Sequence, residues 1–297
     1  MRTVDNQPPS RAELLAKAAR LRRLGGRAAA SKPRGQPIAL DTAAGPVRAL
    51  AYGGGEGPQP VFFDLHGGGF ILGHPEMDDP FLPHLAAAAK LRVISLDYPL
   101  APEHPFPAAL DAIGAAIAAV MARAGELGVD PARAAIGGHS AGGNLAAAAC
   151  LRQAGGGDWP LRAAVLDYPA LDLLTDPDDK PRGRGLVARW FLTPDNLRLF
   201  NDCYCPDPAR RADPLVSPLY AAAGDLAAFP PALILTAGQD ALAAEAEAFG
   251  GRLEAAGRPV QRVRFDSAVH GFTLAHTRAA RQAWDLMAAF LRQQLAL

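Results

Sequence analysis

One serine stands in a setting that prepares it for nucleophilic chemistry. It lies within Gly137-Gly138-His139-Ser140-Ala141-Gly142-Gly143-Asn144, between a short apolar run, Ala134 to Ile136, and an Ala/Leu-rich run, Leu145 to Leu151. That order predicts a strand, a sharp turn and a helix. The spacing Gly138-x-Ser140-x-Gly142 suits a turn tight enough to lift a hydroxyl clear of a sheet, because such a turn tolerates almost no side chain on its flanks. In a chain with 30 glycines the spacing alone would also fit a plain glycine-rich turn. The remaining residues must decide.

A serine hydroxyl is a poor nucleophile at neutral pH unless a base takes its proton and a third group holds that base. Where the nucleophile sits on a strand-to-helix elbow, both partners come later in the chain, acid first and histidine second. Of the seven histidines only His139, His270 and His276 are not upstream of the elbow. His139 adjoins Ser140, so its side chain should point away, and His276 falls where a last helix begins. His270 follows an apolar strand, Val260 to Phe265, after a short loop, and is the expected base. For the acid, Asp240 ends the strand-like run from Leu233 to Gln239 and is preferred; Asp266, at the end of the last strand, is the rival.

Acyl transfer also needs donors aimed at the oxygen that becomes negative in the tetrahedral intermediate. His66-Gly67-Gly68-Gly69-Phe70 directly follows the apolar strand Val61 to Leu65 and leaves backbone N–H groups unobstructed there. Gly67 and Gly68 are the expected oxyanion-hole donors. Ala141, next after the serine and at the positive end of the following helix, is the third.

These loops need a sheet whose strands end side by side. Short apolar runs at Ile38–Leu40, Val47–Tyr52, Val61–Leu65, Val93–Leu96, Ala134–Ile136, Ala163–Leu166, Ala232–Leu235 and Val260–Phe265 predict eight strands. Helical stretches are expected at 81–90, 108–124, 145–153, 241–256 and 278–295, and this alternation predicts an α/β protein with a mostly parallel sheet covered on both faces. Leu14, Leu15, Ala18, Leu21 and Leu24 are spaced as on an amphipathic helix within Pro9 to Arg27. From Leu171 to Phe229 the rhythm breaks. That interval is rich in Asp, Pro and Arg, carries Trp190, Phe191, Phe200, Tyr204 and Tyr220, and shows no strand pattern. An insertion so long and so aromatic reads as a helical cap. If some of the rings of Trp190, Phe191, Phe200 and Tyr204 face the serine, they leave a small pocket, which favours short-chain substrates.

Composition narrows the partners. Thirty basic residues balance thirty acidic ones without a block of like charge, which argues against nucleic acid and against a polybasic membrane patch. A small molecule is the expected partner, with no metal and no membrane; self-association is left open. Cys150, Cys203 and Cys205 are odd in number and lack the paired spacing of a zinc site, which suggests free thiols and a cytoplasmic location.

Taken together, His66-Gly-Gly-Gly-Phe70, Asp97-Tyr-Pro-Leu-Ala-Pro-Glu-His-Pro-Phe-Pro-Ala108, Gly138-His-Ser-Ala-Gly-Gly143, Gly238-Gln-Asp240 and His270-Gly-Phe272 resemble the bacterial hormone-sensitive-lipase-like family of α/β-hydrolases. The resemblance runs from about Pro60 to the C-terminus. It implies an α/β-hydrolase fold over residues 1–297 as a single domain, with a cap from about 1–35 and 171–229. It further implies a serine carboxylesterase with no cofactor, with Ser140 as nucleophile, His270 as base and Asp240 as acid. Gly67, Gly68 and Ala141 would form the oxyanion hole. The same machinery would serve an arylformamidase or other amidase, and a ligand-binding receptor of this fold is the non-enzymatic alternative. The chain departs from the family pattern at His139, where an acidic residue is usual, at Pro99, where arginine is usual, and at Ala241, where proline is usual.

Overall fold

The computed structural model describes residues 9–24, 33–156 and 161–296. Eight strands form one sheet: β1 (Gln36–Leu40), β2 (Val47–Tyr52), β3 (Gln59–Leu65), β4 (Arg92–Leu96), β5 (Val129–His139), β6 (Leu161–Asp167), β7 (Ala232–Ala237) and β8 (Val260–Phe265). Their order across the sheet is β1-β2-β4-β3-β5-β6-β7-β8. The pairs β1–β2 and β2–β4 are antiparallel, and every other pair is parallel. β3, β5, β6, β7 and β8 therefore point their carboxyl ends to one edge. The elbow, the triple glycine and the loops bearing Asp240 and His270 all leave from that edge.

The parallel strands are buried on both faces, so they read as continuous apolar runs, and alternate residues serve opposite layers. Phe63, Leu65, Ile94 and Ile136 pack with α3 (Ala108–Ala122), α4 (Ala124–Leu127) and α5 (Ala141–Ala154). Phe62, Val93, Ala135 and Val165 pack with α2 (Leu82–Ala89) and the last helix. α5 can lie close on β5 and β6 because its residues from Ala141 to Leu151 are small or short and all buried. It starts at Ala141, four residues before the apolar run alone suggested, since Gly142 and Gly143 are helical despite their low propensity.

Between β6 and β7 the chain forms α6 (Gly185–Trp190), α7 (Pro194–Tyr204) and α8 (Ala223–Ala227), with no strand. α7 starts where Thr193 Oγ1 accepts from the Asn196 N–H at 3.3 Å and Pro194 occupies the first turn. α1 (Arg11–Leu24) lays Leu14 and Ala18 against Leu199, Phe200 and Cys203 of α7. Arg22 fastens α1 to the body, donating to the carbonyls of Ile71 and Ala101 and forming a bidentate pair with Glu103. The predicted helix was expected to continue to Arg27, but residues 25–27 lie outside the described residues. After β7 come α9 (Ala243–Ala255) and, after β8, α10 (Arg278–Gln294). α10 buries Ala280, Ala283, Trp284, Met287, Ala288 and Leu291, the i, i+3, i+4 stripe of an amphipathic helix.

Candidate active site

Ser140 is strained. It connects β5 to α5 with φ 55° and ψ −113°, a conformation that side-chain-bearing residues rarely adopt. The surroundings hold it there: its N–H donates to the Asp167 carbonyl at 2.9 Å, and its own carbonyl accepts from Ala170 and Asn144. The flanking glycines are required by contact. A β-carbon on Gly138 would come within 2.4 Å of the Leu65 carbonyl oxygen, and one on Gly142 within 2.0 Å of the same atom.

The structure brings three of the predicted residues into a line. Ser140 Oγ lies 3.0 Å from His270 Nε2, and His270 Nδ1 lies 2.6 Å from Asp240 Oδ2. Because the carboxylate only accepts, Nδ1–H donates to it and Nε2 is left to accept the serine proton. Asp240 is fixed in turn by the Leu242 N–H, which donates to Oδ1 at 3.2 Å. Asp266 does not take part; its side chain is 85% exposed and pairs with Arg264. His276 is exposed beside Phe81, away from the serine.

Gly67, Gly68 and Ala141 line the same cleft as Ser140 and His270. A β-carbon on Gly67 would sit 3.7 Å from that of Ser140, which puts the loop directly across from the nucleophile. The loop is held from behind by His66, stacked on Tyr98 at 4.2 Å, whose Nδ1 donates to the Gly67 carbonyl at 2.8 Å. Burial lowers the His66 pKa to about 4, so the ring is neutral at pH 7 and works as a brace.

The cleft has a volume of about 1550 Å³ and receives residues from every layer around it, including Arg22 and Arg23 of α1 and Leu197 and Phe200 of α7. Some of the cap's rings face the cleft and others do not. Phe191 and Phe200 line the cleft, but Trp190 is 66% exposed on the outside of α6, and Tyr204 is buried beneath it, stacked on Phe70. The sequence showed that these rings were close along the chain, but not which helix face each would occupy. Phe200 packs over the glycine loop: its ring atoms would lie 2.8 Å from a β-carbon on Gly69.

Sequence reasoning missed a second polar group behind the elbow. His139 points away from Ser140 as expected, into a pocket where Asp64, Asp78 and Asp167 are each 1% exposed. Its Nδ1 donates to Asp167 Oδ2 at 2.7 Å, and its Nε2 faces Asp78 at 3.7 Å and Asp64 at 3.9 Å. Thr273 also donates to Asp167 Oδ2, and Tyr168, φ 35°, joins through Thr273 Oγ1 at 2.9 Å. Burial opposes charge on His139, but Asp78, Asp167 and Asp64 outweigh it and raise its pKa to about 10. Burial raises Asp64, Asp78 and Asp167 above the ordinary carboxylate range. The signal was present in the chain: an aspartate inside Val61-Phe-Phe-Asp64-Leu65 and another ending Ala163-Ala-Val-Leu-Asp167 interrupt runs that otherwise belong wholly to the core.

Comparison with known proteins gives a consistent setting. A family described by the alpha/beta hydrolase fold matches residues 62–274. A carboxylic ester hydrolase of Mycobacterium tuberculosis, LipN, is 38% identical over 246 residues, 79% of this chain and 63% of that protein. This chain thus spans less than two thirds of that relative's length. An arylesterase of Saccharolobus solfataricus is 36% identical over 231 residues, covering 77% of this chain and 72% of that one. Among solved structures, the thermostable carboxylesterase EstE1 from a metagenomic library superposes with a TM-score of 0.81 at 32% identity, covering 97% of this chain and 99% of its own.

Proposed function

This chain belongs to the α/β-hydrolase family, in its hormone-sensitive-lipase-like group of carboxylesterases, and we propose that it hydrolyses carboxylic esters through an acyl-enzyme formed on Ser140. One observation carries the reading: a strained, cleft-facing serine whose hydroxyl meets a histidine that is itself bonded to a buried aspartate. A receptor that only binds ligand has no use for that alignment.

Ser140 Oγ attacks the ester carbonyl while His270 Nε2 takes its proton, and Asp240 stabilises the imidazolium that forms. The N–H groups of Gly67, Gly68 and Ala141 receive the oxyanion; among the described residues no backbone carbonyl accepts from Gly67 or Gly68 in the free protein. Collapse expels the alcohol, which leaves with the proton from His270. A water, deprotonated by the same nitrogen, then attacks the acyl carbonyl and frees the acid and Ser140. Residues of about 1–35 and 171–229 act as a cap on a single domain, a reading supported by the packing of α1 on α7. No helix among the described residues is long and apolar enough to cross a membrane, and the three unbridged cysteines support a cytoplasmic setting.

We expect short acyl groups, roughly two to six carbons, to react best, because Phe200 and Phe191 line the cleft that holds the serine and a clash with either ring outweighs the ~0.8 kcal/mol that each added methylene contributes. A fluorophosphonate probe followed by an acyl-length series of p-nitrophenyl esters, run beside an aryl formamide, tests both parts. Labelling of wild type but not of Ser140→Ala is the expected result. Absence of labelling overturns the hydrolase reading, a rate still climbing at decanoyl overturns the short-chain preference, and faster turnover of the formamide reassigns the enzyme as an amidase.

A further inference from the structure

The group behind the elbow has more negative charge than its one histidine balances. Asp64, Asp78 and Asp167 contribute three carboxylates, and the imidazole at most one positive charge, and none of these residues is more than 3% exposed. Buried charge of this kind is costly unless it is paired and hydrogen-bonded. Asp167 is partly satisfied by His139 and Thr273, and Asp64 by Ser95, whose hydroxyl donates to Oδ2 at 2.7 Å. Asp78 is not satisfied at all. Both of its oxygens are buried without a hydrogen-bond partner, and the side chain is aimed at His139 Nε2 from 3.7 Å, too far for a hydrogen bond.

From this geometry we infer that Asp64, Asp78 and His139 form a site for a divalent cation of the size and ligand preference of Zn²⁺, placed behind the nucleophile's turn. One donor atom from each residue lies within 4.8 Å of the others. Ligand atoms of a tetrahedral zinc site, with bonds near 2.0–2.1 Å, stand about 3.4 Å apart. The Nε2-to-oxygen distances of 3.7 and 3.9 Å close to that value with a few tenths of an ångström of side-chain movement.

The outer partners have the pattern that a metal site uses. His139 gives its other ring nitrogen to Asp167, which fixes the tautomer that leaves Nε2 to bind the ion, and Ser95 holds the far oxygen of Asp64. Two carboxylates and one imidazole form a mixed oxygen and nitrogen set suited to zinc or a neighbouring transition ion. Access exists, because His139 and Met77 line the active-site cleft. The ion would touch no reacting atom. It would brace the end of β5 to β3 and to the turn before α2, and so keep the Ser140 backbone in its strained position.

Metal analysis of the full chain, purified without chelator and equilibrated with Zn²⁺, tests this independently of hydrolysis. The expected result is about one zinc per chain retained through gel filtration, a lower melting temperature after stripping with dipicolinate, and recovery when Zn²⁺ is returned. Asp78→Asn should weaken zinc binding by more than the roughly 10–100-fold that loss of an outer partner such as Ser95 costs. If Asp78→Asn does not fold, wild type loaded with Co²⁺ supplies the readout, as a visible absorption band displaced by Zn²⁺. Nitrogen NMR of His139 should show a metal-bound Nε2. Zinc content near zero after equilibration, binding indifferent to Asp78→Asn, or a His139 imidazolium protonated on both nitrogens in zinc-saturated protein would overturn the site. Ester turnover bears on none of these outcomes, so the site and the hydrolase reading stand or fall separately.

Discussion

Two buried histidine–aspartate pairs lie on either side of the same turn. His270 Nδ1 donates to Asp240 at 2.6 Å and His139 Nδ1 donates to Asp167 at 2.7 Å, and both rings are at least nine-tenths buried. The pairs are nearly identical up to the second nitrogen. His270 offers its Nε2 to a hydroxyl in a cleft, whereas His139 directs its Nε2 at two carboxylates in the core. An oriented histidine is therefore a common component here, and what its free nitrogen faces decides between proton transfer and bracing.

The largest expected effect separates the pairs by function. Ser140→Ala or His270→Ala should lower kcat by about 10⁵-fold or more, and Asp240→Asn by about 10⁴-fold, with the melting temperature nearly unchanged. Steady-state kinetics beside thermal unfolding would show it. Behind the turn the signs reverse. Asp167→Ala removes one partner of a buried pair and should cost about 3–5 kcal/mol in urea unfolding, while turnover per folded molecule falls far less than for Asp240→Asn. His139→Asp, which restores the residue type usual in the family, should be similarly destabilising, because it would add a fourth carboxylate to the three already there. Equal losses of kcat from both aspartates at unchanged stability would erase the distinction.

Another buried carboxylate, away from both pairs, sharpens the comparison through pH. Burial raises Glu245 to about 6 even though Lys180 bonds to it at 2.5 Å and its Oε1 accepts from the Leu171 N–H. The folded value is above the unfolded one, so Glu245 stabilises the fold fully below about pH 4.5 and loses that contribution as pH rises through about 6. Unfolding free energies from pH 4.5 to 7 should carry a downward component of roughly 1–2 kcal/mol in wild type that is absent in Glu245→Gln. The smallest effect serves as the control. Asp266→Asn, at an exposed side chain, should leave kcat/KM within about twofold and stability within about 0.5 kcal/mol.

The front of the site was legible because its residues obey rules of local sequence. A turn that needs glycines, donors that need a bare backbone, and partners that follow the serine in fixed order are all written in spacing, and all eight strands could be placed from apolar runs. The back of the site depends on what β3, β5, β6 and the turn before α2 bring together across the sheet. Register places Asp64 and Asp167 beside His139, and the turn before α2 adds Asp78. The cap was legible as helical but not as a wall, because of its five marked rings only Phe191 and Phe200 line the cleft.

The crowding of Gly138 and Gly142 against the Leu65 carbonyl has a consequence for how this protein can change. The obstacle to a side chain at either position is another segment's main chain, and no substitution elsewhere can make a carbonyl oxygen smaller. A harmful change there has no second-site suppressor, so lineages and laboratory libraries alike should find these two positions closed. Phe200 against Gly69 is the opposite case. The obstacle is a replaceable ring, so a smaller residue at 200 would widen the cleft there, while Gly69, at φ 60°, stays a glycine position for its backbone. New substrate ranges should arise along α7, while the turn that carries the serine stays as it is.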